Sequence, residues 1–233
     1  MAKRKHRALM IQKVAVGAAA LLIVAFFGYF YTRVISEAPK GKFIAGEHYE
    51  VLDNPGHPRG NKVQVIEFFS YACPHCYAFD PKLDDWLEQN KDRVDFMRVP
   101  AVGNTQWRLD ARAYYAMQAL GLLVTDHTKL FNAIHGLGLN LDSPVKLAAW
   151  FGDNGTTPAA FTSMLNSDAV SEQVARGEEM QQKYRIAAVP SVVIDSKYLV
   201  QSSSDIGPTR MLEVMDYLVD KELSGSGATD KKG

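Results

Sequence analysis

Cys73-Pro74-His75-Cys76 holds the only two cysteines in a chain of 233 residues. Two thiols at this spacing can meet in a small, strained ring, so the chemistry that the pattern invites is dithiol–disulfide exchange. They are too few for a disulfide scaffold. They also cannot complete a four-ligand zinc site without His75 and a distant histidine, and no second CxxC or HxxxH is present to help. A redox pair is the simpler reading.

The elements around the pair set its reactivity. Val63 to Phe69 is apolar and β-branched apart from Gln64 and Glu67, which suits a buried central strand. Beyond the pair, Leu83, Trp86 and Leu87 fall at helical spacing, Asn90 ends the pattern, and Pro81 should kink it. The cysteines therefore sit where a strand passes into a helix. A helix N-terminus offers unpaired N–H groups and the positive end of the dipole. Cys73 should have a pKa lowered into the range of roughly 3.5–7.5 seen at such sites, and Cys76, one turn further on, should be shielded. His75 can lend an N–H or a positive charge to the Cys73 thiolate. A stabilised thiolate favours the reduced pair and makes the disulfide a stronger oxidant.

Glu67 lies in an otherwise apolar strand, six residues before Cys73, and reads as a buried acid that moves a proton or tunes the pair; a surface ion pair is the alternative. Arg98, in the strand pattern Val94 to Val99, is its candidate partner. Val189-Pro190 precedes the strand pattern Ser191 to Ile194. It either marks a boundary or is a cis proline that faces the cysteines and leaves a backbone edge for a substrate chain. His6, His48, His57, His127 and His135 have no partner spacing and read as solvated or structural, and Trp86 and Trp107 as core.

Around these residues, His48 to Leu52 reads as a short strand and Asp53 to Gly60 as a turn-rich loop. Helical patterns cover Ala111 to Leu120, Thr128 to Ile134, Val145 to Phe151, Ala159 to Asn166 and Asp168 to Tyr184, with Ser143 and Thr157 as N-caps before prolines. Strand character returns at Ser191 to Ile194 and at Lys197 to Val200, followed by a last helix from about Pro208 to Leu223. The order predicts an α/β, thioredoxin-like fold over residues 47–223, a mixed sheet interrupted by an all-helical insertion at about 104–185. Residues 224–233 read as a disordered tail.

Hydrophobic residues at 47% and charged residues at 22% describe an ordinary globular chain. The net charge of zero hides an asymmetry: residues 1–38 carry six Lys/Arg and one acid, leaving 20 bases against 25 acids elsewhere. Without a basic stripe, nucleic acid is not an expected partner. Residues 1–13 are basic, and Val14 to Thr32 has no charge. At about 1.5 Å per residue this run spans roughly 28 Å, close to a bilayer core of about 30 Å. It reads as a single-pass anchor with the basic end in the cytoplasm and the remainder exported, joined through a tether at 33–46. A cleaved signal sequence is the alternative. Either places the cysteines in an oxidising compartment.

The segment Glu67-Phe68-Phe69-Ser70-Tyr71-Ala72-Cys73-Pro74-His75-Cys76-Tyr77 resembles the active-site segment of the DsbA family of periplasmic thiol:disulfide oxidoreductases. Thioredoxin has Gly-Pro between its cysteines and the isomerases have Gly-His or Gly-Tyr. Val189-Pro190 is similar to the family's Val before cis proline, and Ala116 to Gly121 and Asp195 to Tyr198 add weaker likeness, over roughly residues 45–220. The resemblance implies Cys73 as the exposed nucleophile, Cys76 as its buried partner, Pro190 as the cis proline, Val189 as its substrate-contacting neighbour and Glu67 as the acid beneath the disulfide. Arg98 stands where the family has Lys. It further implies no cofactor beyond the Cys73–Cys76 disulfide, no metal, exported proteins with free thiols as substrates, a DsbB-like quinone-linked reoxidant in the inner membrane, and a monomer. The expected location is the inner membrane with the catalytic domain in the periplasm, or the soluble periplasm after signal cleavage. A reductase or isomerase on the same fold, or a non-catalytic tethered binding module, is the alternative function.

Overall fold

A computed structural model of the chain describes residues 43–53, 61–203 and 206–229. The basic segment and the apolar run Val14 to Thr32 lie outside these residues, as does most of the loop expected at Asp53 to Gly60. No helix among the described residues is long and apolar enough to cross a membrane.

A five-stranded mixed sheet organises the fold, in the order β1-β5-β4-β2-β3. The strands are β1 (Glu50–Val51), β2 (Val63–Phe69), β3 (Val94–Pro100), β4 (Ser191–Ile194) and β5 (Tyr198–Gln201). β2 runs parallel to β3 and antiparallel to β4, so it is flanked on both sides. Its side chains alternate between faces. Val63 and Val65 pack with Phe79, Leu83 and Trp86 of helix α1 (Pro74–Asn90) and with Val214 and Leu218 of the last helix, α7 (Pro208–Thr229). Ile66 and Phe68 point the other way, towards Val193, Tyr184 and Ile186. Parity therefore puts Glu67 on the face covered by α1. β4 and β5 are joined through Asp195, Ser196 and Lys197; Asp195 and Ser196 are both at positive φ (52° and 54°), and the Lys197 N–H closes the turn on the Ile194 carbonyl at 2.9 Å.

The insertion consists of α2 (Thr105–Ala119), α3 (Leu123–Phe131), a π turn (Asn132–Gly136), α4 (Pro144–Gly152), α5 (Pro158–Leu165) and α6 (Asp168–Lys183). Ser143 and Thr157 cap α4 and α5 by accepting the N–H groups of Lys146 and Ala160, with proline first in each helix. The insertion's core joins Phe131, Phe151 and Phe161 to Phe69, Tyr71 and Cys76, so it is continuous with the cysteine site.

Four expectations are corrected. The domain begins at Phe43, inside the expected tether, because that ring is buried and packs edge-on to Tyr217 at 5.5 Å. α2 begins at Thr105, six residues before Ala111, because Asn104 caps it by accepting the Trp107 N–H at 3.0 Å. The segment expected as a helix over Thr128 to Ile134 divides into α3 and the π turn. α7 continues to Thr229, past Leu223, and the Ser224 hydroxyl donates to the Asp220 carbonyl in the added turn. Helix α1 stays helical through Pro81, which leaves the Tyr77 carbonyl without its i+4 donor.

Candidate active site

Cys73 is the N-cap of α1, with extended backbone at φ −93° and ψ 115°, and Pro74 takes the first helical position. This places the Cys73 sulfur over the free amides of the first turn, and the Cys76 N–H donates to it at 3.4 Å. On its other side the Cys73 thiol donates to the Val189 carbonyl at 3.5 Å. The Val189-Pro190 bond is cis. Strand and helix order thus brings together two segments 116 residues apart.

Both cysteines are free thiols, so the structure shows the dithiol form. Cys76 is fully buried, and Cys73, expected to be exposed, is only 8% exposed. Its sulfur sits at the rim, between the helix start and the Val189 carbonyl, while Pro74 and His75 face solvent. The Cys73 thiol is lowered to about 6. The Cys76 thiol's hydrogen bond is the largest cause; burial opposes it, and the Cys76 and His75 amides and the His75 charge add to it. Burial, then the neighbouring Cys73, pushes the Cys76 thiol far up. At neutral pH the arrangement holds a nucleophilic thiolate at the rim and a protonated thiol beneath it.

Glu67 lies under this pair, 2% exposed, and burial pushes its carboxyl up to about 7 although Arg98 draws it back. Its charge also acts on Cys76. The Arg98 Nε donates to Glu67 at 2.8 Å, and its Nη2 donates to both Asp80 at 2.9 Å and Asp84 at 2.7 Å. Asp80 also meets His127 Nε2 at 3.2 Å, and His127 Nδ1 lies 2.5 Å from the Tyr71 hydroxyl. The network implies an Nε2–H tautomer, donating to Asp80 and accepting from Tyr71. Burial lowers the His127 pKa despite Asp80, so at neutral pH this ring is the uncharged end of the network.

Sequence reasoning brought Glu67 and Arg98 together but missed Asp80, His127, His135 and Asp110. Asp80 had a readable signal: it lies four residues after Cys76 on one helix, hence on the same face. His127 and His135 had none, since α3 and the π turn carry them in from the insertion. His135 Nε2 meets the Tyr71 carbonyl at 2.8 Å, and its ring stacks on Tyr77 at 5.1 Å. Asp110 of α2 is buried beside the turn Ser70 to Ala72. Trp86 is buried core and Trp107 half-buried. No group of three or more His, Cys, Asp or Glu that could hold a metal occurs among the described residues.

Residues 64–208 match the DSBA-like thioredoxin domain family. The thiol:disulfide interchange protein DsbA of Azotobacter vinelandii is 31% identical over 193 residues, 83% of this chain and 90% of that protein. The protein of the same name from Pseudomonas aeruginosa is 32% identical over 79% of this chain and 88% of its own length. The crystal structure of Pseudomonas aeruginosa DsbA superposes with a TM-score of 0.74 at 31% identity, over 79% of this chain and 97% of that one. The oxidoreductase DsbA from Xylella fastidiosa gives 0.72 at 32% identity, over 78% and 98%. A match that takes in the cysteine pair, the whole insertion and the Val189-Pro190 segment goes well beyond a shared sheet: this chain belongs to the DsbA-like thioredoxin family and is a thiol:disulfide oxidoreductase.

Proposed function

We propose that this chain works as an oxidant, passing the Cys73–Cys76 disulfide to polypeptides exported to the periplasm. The observation that carries the direction is the low Cys73 pKa over a buried Cys76 thiol, because it favours the reduced pair over the disulfide. A substrate thiolate attacks the Cys73 sulfur; the Cys73–Cys76 bond breaks, and Cys76 leaves and takes up a proton. Glu67, buried beneath and titrating near 7, is the group that supplies it. A second substrate thiolate then attacks the substrate sulfur of the mixed disulfide, and Cys73 leaves as its stable thiolate. The substrate gains one disulfide, and two electrons remain on the pair. Val189, with its carbonyl at the Cys73 sulfur, lines the approach beside Pro190. A quinone-linked membrane protein of the DsbB kind would take the electrons away.

The uncharged run Val14 to Thr32 supports a membrane tether, which would restrict the domain to substrates near the inner membrane. Retention of the intact N-terminus in the membrane fraction is the expected result; a shortened, soluble mature chain would exclude the tether. The oxidant reading is tested by equilibrating the Cys73/Cys76 couple with glutathione. A potential well above that of thioredoxin, about −270 mV, is expected, and one as low as thioredoxin's would make the chain a reductase.

A further inference from the structure

A cavity of about 240 Å³ opens beside the turn that leads into Cys73. Ala72 forms part of its wall, next in sequence to the nucleophile. Its polar lining is of one kind: the carboxylates of Asp110 and Asp142 and the amides of Gln106 and Asn140, with no basic side chain among them. Its apolar lining includes Ile134 and Leu139, and Leu139 is 40% exposed at the mouth. A long aliphatic stem and a cationic head therefore find matching walls in one space.

Asp110 points to what is missing. It is 3% exposed. One carboxylate oxygen accepts from Gln106 Nε2 at 2.8 Å, while Oδ2 is buried without a hydrogen-bond partner among the described residues. The Ala72 N–H and the Ser70 hydroxyl both favour the charged form of Asp110, but the Ala72 N–H is given to the Ser70 hydroxyl at 3.2 Å and neither group closes a hydrogen bond on Oδ2. A buried carboxylate oxygen with no donor is costly and is satisfied best by a charged donor. Asp142 pairs with Lys146 at 2.8 Å, but that pair is about half exposed and exchanges readily with an incoming cation.

We propose that this cavity is a subsite for a basic side chain, Lys or Arg, of the polypeptide whose cysteine reacts at Cys73. The stem lies along Leu139 and Ile134, and the head meets Asp110 and Asp142. The inference rests on the oxidoreductase reading and adds a preference for cysteines flanked by a base. The preference also has a pH signature. Burial holds Asp110 up at about 6, so it is mostly ionised at neutral pH and neutral in mild acid. The other groups facing the cavity are Gln106, Asn140, the Ala72 N–H and the Ser70 hydroxyl, none of which titrates in that range, and Asp142, which its contact with Lys146 keeps ionised.

The test uses the oxidised full chain and dithiol peptides that differ at one position beside the reacting cysteine: Lys, norleucine or Glu. A further peptide carries its Lys far from the cysteine and reads the long-range field. The measured quantity is the exchange rate per peptide thiolate, with each peptide's cysteine pKa titrated separately, relative to the norleucine peptide. The flanking Lys should gain about fivefold at neutral pH and lose most of that below pH 6. Asp110→Asn should bring the ratio near one. Asp142→Lys, at an exposed position, should turn the preference towards Glu even if the first variant folds poorly. A wild-type ratio near one, an equal gain from the distant Lys, or a ratio untouched by both substitutions would overturn the subsite. Failure of the norleucine peptide itself to be oxidised would instead count against the proposed function.

Discussion

Replacing Cys76 by Ala should raise the Cys73 pKa by about one unit, whereas Cys76→Ser should leave it close to 6. The Cys76 thiol's hydrogen bond is the largest cause of the lowered value. A hydrogen bond to a charged group is worth about 1.5–3 kcal/mol. A thiol is a weak donor, and water at the rim replaces part of the bond, so the low end applies. About 1.4 kcal/mol corresponds to one pKa unit. At pH 7 the thiolate fraction should then fall from about nine-tenths in the parent dithiol to about one half in the Ala variant. Thiolate absorbance followed against pH reads this directly, because both variants hold a single thiol and cannot form the internal disulfide. His75→Ser, measured in the same way, should move the value up by less, since the imidazole acts through its field and is the smallest of the causes. A Cys76→Ala variant still titrating near 6 would refute the reasoning. It would mean that the helix amides alone hold the thiolate and that the buried thiol is only a leaving group.

Two further outcomes follow from the same site. The potential of the Cys73/Cys76 couple, measured against glutathione, should fall by about 59 mV per pH unit below pH 6 and by about 30 mV above it, because reduction takes up one proton fewer once Cys73 is a thiolate; an unbroken slope of 59 mV up to pH 8 would contradict the Cys73 value. Glu67 has a folded pKa of about 7 against 4.5 for the free side chain, so the unfolded chain releases its proton first. The stability that the neutral Glu67 supports is present below about 4.5 and is lost as pH rises to 7, on the order of 3 kcal/mol for a group this deeply buried. Urea unfolding of the reduced chain should show that decline, and Glu67→Gln should flatten it; an equal decline in the variant would place the titrating group elsewhere.

What could be read in advance depended on how far each contact reaches along the chain. Cys73, Pro74 and Cys76 declare their chemistry within four residues, and strand parity alone turns Glu67 to the face that α1 covers. Arg98 lies on the next parallel strand in direct register with Glu67, so pairing two adjacent strands was enough to join them. Phe43 was assigned to a tether because an isolated aromatic among small residues has no period, although its ring is buried against α7. Asp80, His127 and Tyr71 form one hydrogen-bonded path only after α3 has folded back onto α1 from 47 residues away, and no local pattern encodes that crossing. Asp110 is the extreme case. On α2 it looks like one more helical acid, and its pKa is raised by burial that exists only once the fold has closed over it, with Gln106, Ala72 and Ser70 drawing it back. The nucleophile and the groups that tune it were therefore legible from covalent spacing and strand pairing, while His127, at the end of the network, and Asp110, in the proposed subsite, come from the insertion. Changes in that insertion can alter which cysteines the pair reacts with while leaving Cys73-Pro74-His75-Cys76 intact.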